Sequence, residues 1–158
     1  MRNLDSVVAA ADKAIAMLDR VPLSIFQFLL RFWVAGIFWN SGVVKIQSWE
    51  PTVALFANEF RVPLLAPETA ATLAALVELT CPVLLVIGLA SRLATLPMLA
   101  MTAVIQIFVY PDLWLKEHMI WTTILLFVLT KGPGAISLDH FIAKAFQRRG
   151  PRKHLQEA

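Results

Sequence analysis

The sequence predicts an all-α membrane protein: a four-transmembrane-helix bundle with an amphipathic N-terminal helix and a basic C-terminal surface helix. Three observations lead there. Of 158 residues, 58% are hydrophobic and only 16% are charged, which is neither an ordinary soluble domain nor a disordered chain. Apolar stretches of about 20 residues, the length that crosses a bilayer, recur along the chain. Lys and Arg gather in the segments that flank those stretches, so the formal charge of +3 reads as membrane topology and no nucleic-acid partner is expected. The length suits one domain, divided as residues 1–21, a helix on the cytoplasmic face, residues 22–145, the membrane domain, and residues 146–158, a basic tail.

The first twenty residues place Leu4, Val7, Val8, Ala11, Ile15 and Leu18 mostly on one side and Arg2, Asp5, Asp12, Lys13, Asp19 and Arg20 elsewhere. This is an amphipathic helix on the membrane surface or capping the bundle, or else a frayed leader. The three aspartates deny it the uninterrupted apolar core of a signal peptide. The first crossing runs from Pro22 or Leu23 to Lys45 and is interrupted by Arg31 and Asn40. The second runs from Thr69 to Ala90 with Glu78 near its middle. The third, Leu93 to Tyr110, carries Pro97 and Gln106. The fourth has only a short clean run, Met119 to Thr130, so it either extends back through Trp114, Lys116, Glu117 and His118 or is re-entrant. The spanning reading is preferred, because four crossings return both termini to one side.

Charge then sets the orientation. With both termini cytoplasmic, the inner segments hold Arg2, Lys13, Arg20, Arg92, Lys131, Lys144, Arg148, Arg149, Arg152 and Lys153, and the outer ones only Lys45, Arg61 and Lys116. Trp49 and Trp114 then fall at the outer interface, where indoles prefer to sit. The 46–68 loop contains Val53, Leu55, Phe56, Phe60, Leu64 and Leu65, so a short helix is expected to lie across the bundle mouth, as a lid or as a packing element. The tail after Ala145 is expected to touch anionic headgroups.

The polar residues inside the apolar spans carry the functional argument. A carboxylate at the depth of Glu78 costs about 2.5 kcal/mol or more, so it must face protein or water. Ala71, Ala74, Ala75, Cys81 and Pro82 share its side and let neighbouring helices come close. Arg31 and Glu78 are expected to pair, with Lys45 left at the outer mouth. Lys45, Glu78, Gln106, Tyr110 and His118 define a candidate pocket in the outer half, with Thr122 one turn beyond His118. The plain alternatives are an ion pair that only fixes which helices are neighbours, and an interfacial histidine. Met98, Met101 and Cys81 read as packing residues, and no metal site is expected. No phosphate loop, nucleophile elbow or dinucleotide fingerprint appears, and catalytic residues stay unassigned. Gly132 and Pro133 end the fourth helix, and Ser137 or Asp139 caps the surface helix Leu138 to Phe146.

Taken together, Arg31, Gly42-Val43-Val44-Lys45, Glu78, Gly88-Leu89-Ala90-Ser91-Arg92 and Gly132-Pro133-Gly134-Ala135-Ile136-Ser137-Leu138-Asp139 resemble the DoxX family of small four-helix membrane proteins over residues 22–145. The stretches Val104 to Trp114 and Asn58 to Leu65 look like a branch associated with multinuclear-iron peptide-modifying enzymes and copper-binding peptides. The resemblance implies a membrane component of redox systems, the family including a quinone-linked thiosulfate dehydrogenase, while most members lack an established activity of their own. The expectation is an inner-membrane protein that assists a redox or metal-handling system, as a quinone-facing subunit or as a partner of periplasmic peptide-maturation proteins in copper homeostasis. The alternative is a non-catalytic assembly, binding or transport element. Whether the chain is an enzyme stays open.

Overall fold

A computed structural model describes residues 2–60 and 62–149, and the backbone alone at residues 2–6, 8–10, 148 and 149. The helices are α1 (Arg2–Leu18), α2 (Leu23–Gln47), α3 (Trp49–Leu55), α4 (Pro67–Ile87), α5 (Ser91–Val104), α6 (Met119–Lys131) and α7 (Leu138–Arg149). Wider, π-helical turns follow α3 (Phe56–Phe60), extend α5 (Ile105–Val109) and precede α6 (Trp114–His118), the last after a 3₁₀ turn at Pro111–Leu113. Among the described residues, four helical stretches are long and apolar enough to cross a membrane: Leu23–Gln47, Pro67–Ile87, Ser91–Val109 and Pro111–Lys131. The fourth reaches spanning length by recruiting the irregular turns that contain Trp114 and His118. The protein is a multi-pass membrane bundle, apolar inside and out. Phe26, Phe32, Trp33, Leu76, Val83 and Leu93 face outward, where a bilayer takes the place of water.

Local chemistry sets the helix ends. Pro67 occupies the first turn of α4, where its missing amide hydrogen has no partner to lose. Gly88 closes α4 in the left-handed region at φ +73, and its amide bonds to the Leu84 carbonyl. α4 packs against α2 and α5, and α6 against α5 and α2. Val34, Phe38, Leu85, Met98, Leu125 and Val128 fill the centre. Cys81 is buried there as an ordinary small side chain.

The bundle has two distinct ends. At one, here the glycine end, Gly88 and the Gly132–Asp139 segment meet the start of α2. The other, the loop end, carries α3 and the turn between α5 and α6.

The expected Arg31–Glu78 pair does not form. Arg31 is fully buried at the glycine end, where Nη1 donates to the carbonyls of Leu85 (2.6 Å) and Val86 (3.1 Å) and Nη2 to that of Ile136 (2.5 Å). The first two are last-turn carbonyls of α4, which have no partner within their own helix. The reason is register. α2 starts beyond the end of α4, so Ser24 and Gln27 lie beside Ala135 and Gly134. Arg31 is therefore level with Gly88, while Glu78 is ten residues, roughly 15 Å, further along α4. No guanidinium stem bridges that distance.

The Gly-Pro-Gly segment completes this clamp. The Ser137 hydroxyl accepts from the His140 amide at 3.2 Å, capping α7. The Asp139 carboxylate turns away from its own helix and accepts from the amides of Ala90 and Ser91, at 2.7 and 3.0 Å, capping α5. α7 continues past the expected Phe146 to Arg149. The expected headgroup contacts of residues 150–158 lie outside the described residues, as does Arg61 in the outer charge count.

Candidate functional site at the loop end

Glu78 meets α2 where Gly42 removes a side chain from the interface. A Cβ at Gly42 would lie 2.9 Å from that of Glu78, so only glycine permits this approach. One turn from Gly42, Lys45 reaches the carboxylate. Its Nζ lies 2.9 Å from Oε1, to which it donates, and 2.8 Å from Oε2. The Ser41 hydroxyl accepts from Nζ at 2.8 Å and donates to Oε1 at 3.0 Å, closing a triangle. Oε2 is buried and receives no directed hydrogen bond, so it keeps acceptor capacity. Lys45 thus takes the role expected of Arg31 and does not stand alone at the mouth. Among the described residues this is the one side-chain ion pair.

The pair separates two cavities. One, of about 230 Å³, has walls of Phe56, Leu73, Val77, Pro97, Met101 and Val109. The other, of about 220 Å³, is lined by Ser41, Tyr110, Glu117, His118 and Trp121. Lys45, Glu78, Phe60 and Ile105 belong to both linings, so the ion pair and one aromatic ring form the shared wall. Phe60 comes from the loop helix and meets Tyr110 edge-on, ring centres 6.2 Å apart.

His118 is buried, and its tautomer follows from its neighbours. Gln106 Nε2 donates to the Pro111 carbonyl at 2.6 Å, which turns Oε1 towards His118 Nδ1, also 2.6 Å away. An amide oxygen only accepts, so Nδ1 carries the hydrogen and Nε2 of the neutral ring holds a lone pair. Trp121 packs on the same ring at 5.2 Å. Of the predicted pocket residues, Lys45, Glu78, Tyr110 and His118 line one cavity. Gln106 does not: it lies behind His118 and lines a separate groove with Trp114 and Thr122.

Phe60 and Ser41 were not singled out from sequence. Ser41 spaced one turn from Lys45 was the available signal. Phe60 carried only the apolar character of its loop. All three π-helical turns supply cavity residues: Phe56 and Phe60, Ile105 and Val109, Glu117 and His118. Such turns widen the helix by one residue, re-aim side chains and recur at functional sites.

The DoxX family model matches residues 26–111, more than half of the chain. The chain belongs to the DoxX family. The matched stretch of this DoxX protein holds Arg31, Lys45, Glu78, Gln106 and Tyr110. His118 and the Gly-Pro-Gly segment lie beyond it. No curated protein and no solved structure matches the chain. Among the described residues, no group of three or more His, Cys, Asp or Glu side chains is placed to hold a metal.

Proposed function

We propose that this DoxX protein is a quinone-facing subunit of a membrane redox system, with its quinone site at the loop end. The supporting observation is the Lys45–Glu78 ion pair standing in the shared wall of an apolar and a polar-lined cavity. An amphiphilic ring needs that combination: apolar walls for its body and a few placed polar atoms for its oxygens. The residues fit the group. Lys45 Nζ is a donor for a carbonyl oxygen, and Glu78 holds it in place. His118 Nε2 and Glu78 Oε2 are acceptors for a hydroxyl, and Tyr110 offers either role. A bound quinone would supply a carrier of two electrons and two protons. The chain orients the ring, keeps water out with Phe56, Phe60 and Trp121, and holds a proton at His118 Nε2 or Glu78. The setting proposed for this site is a bacterial inner membrane, with the loop end periplasmic and both termini cytoplasmic.

The test is binding of a quinone analogue to the purified protein. Wild type is expected to bind, His118→Phe to lose binding, and Gln106→Leu to weaken it by releasing the imidazole, both variants remaining folded. A well-folded wild type that does not bind overturns the reading.

A second reading has one specific support. Leu64 is fully exposed and holds a left-handed backbone, φ +70, beside Leu65, which lines the apolar cavity. Such a side chain presented at the cavity rim suits capture of a partner, such as a copper-binding peptide under maturation or another protein of an assembly. Leu64→Ser would then abolish co-purification of that partner from native membranes and leave quinone-analogue binding intact.

A further inference from the structure

The glycine end carries a second cleft that the redox reading does not use. It measures about 540 Å³ and lies between the start of α5 and the segment joining α6 to α7. Arg92, Lys131 and His140 line it together with the glycine loop and the apolar side chain of Leu93. Arg92 opens α5 and Lys131 closes α6, so both cations sit where two spans leave the apolar layer. Neither forms an ion pair among the described residues. The acid in the lining, Asp139, accepts from the amides of Ala90 and Ser91, one at each carboxylate oxygen, and pairs with neither cation. The guanidinium of Arg92 lies over Gly132, where a Cβ would come within 3.3 Å of Nη2. That glycine, at φ +83, leaves room beneath the cation.

We infer that this cleft binds a phosphate group at the membrane boundary, carried by an anionic phospholipid. The guanidinium presents a fork to phosphate oxygens, the Lys131 ammonium adds a point charge, and His140 adds a ring nitrogen. Leu93, 68% exposed on the lipid-facing side of α5, offers a surface for the acyl chain that a free phosphate does not have. Basic pockets between helix ends at this depth are of the kind that hold anionic headgroups. The exposed Phe141 and Phe146 of α7 place that helix at the same interface.

The experiment uses the full chain in detergent, titrated with short-chain phosphatidylglycerol, with phosphatidylcholine of the same chain length, and separately with inorganic phosphate. Melting temperature and retained lipid by native mass spectrometry are read. Phosphatidylglycerol is expected to raise the melting temperature where phosphatidylcholine does not. The paired substitutions Arg92→Gln and Lys131→Gln should weaken apparent affinity by roughly tenfold or more, and Lys144→Gln, outside the cleft, should leave it unchanged. Stabilisation by inorganic phosphate equal to that by phosphatidylglycerol keeps the phosphate chemistry but overturns the lipid as its source. Equal binding of the two lipids, or undiminished affinity in the double variant, overturns the inference. Should that variant fail to fold, Arg92→Lys, which keeps the charge and loses the fork, takes its place with a smaller expected weakening, unchanged affinity overturning the role of the fork, and the wild-type comparison of the two lipids decides as before.

Discussion

Lys45 and Glu78 have side chains 14% and 3% exposed, so each neutralises a charge that the bilayer interior would otherwise leave bare. Removing one partner leaves the other unpaired in a low-dielectric site, a loss of about 3 kcal/mol or more. Glu78→Gln and Lys45→Met are each expected to lower the melting temperature in detergent, and the double substitution to recover part of the loss. Arg31 belongs to a different unit, since its contacts are carbonyls at the opposite end. Arg31→Met should therefore add to Glu78→Gln within about 0.5 kcal/mol, with no rescue. Coupling between Arg31 and Glu78 in that cycle would contradict the register described above. Arg31→Lys should do little better than Arg31→Met, because an ammonium cannot repeat the guanidinium's reach to three carbonyls on two segments.

Among the elements, α4 shows how few residues fix an interface. Gly42 brings α2 against it beside Glu78, and Gly88 ends it where the Gly-Pro-Gly segment crosses. A Cβ at Gly88 would strike both Cβ and Cα of Ser137 and would stand 2.9 Å from Arg31 Nη1. Gly88→Ala also places an L side chain at φ +73. The strained backbone and the overpacking together predict a loss of about 2 kcal/mol or more, read as a lower melting temperature with the quinone-analogue affinity of the folded fraction unchanged. Loss of binding without loss of stability would mean that the two ends of the bundle are coupled. At the loop end the irregular turns play the converse part. They replace regular helix at the turns that carry Phe60, Ile105 and His118, three residues of the cavity linings.

For the whole molecule the question is orientation. Four spans joined by short ends, with one long loop between the first two, predict that reporters fused after residues 20, 60, 91, 112 and 147 read inside, outside, inside, outside and inside. An outside reading at 147 would mean that Pro111–Lys131 does not cross. The two ends of the molecule are chemically unlike. The glycine end gathers Arg92, Lys131 and Lys144, and the loop end gathers the ion pair, the cavities and the aromatic residues of α3. Positive charge on one face and the proposed ligand site on the other is an arrangement that insertion and ligand access each favour independently.

The linear chain determined the number of crossings, their approximate bounds and the polar residues inside them. Hydrophobic length and the cost of intramembrane charge are properties that single segments carry alone. The Gly132–Asp139 segment was legible as a helix-ending region for the same reason, since backbone freedom and capping are local, whereas the second crossing, drawn to Ala90, stops at Ile87 with Gly88 as its cap. Which charge meets which was decided only by tertiary structure. Arg31 and Lys45 lie on one stripe of α2, and when α4 is laid beside it by length alone Glu78 falls within reach of Arg31 and well short of Lys45. The choice depends on how far α2 slides past α4. That offset is set by Gly42 on Glu78, by Gly88 under Ser137 and by Gln27 against Gly134, contacts between residues far apart in the chain. The tautomer of His118 has the same origin, because it depends on a carbonyl at Pro111 turning the amide of Gln106.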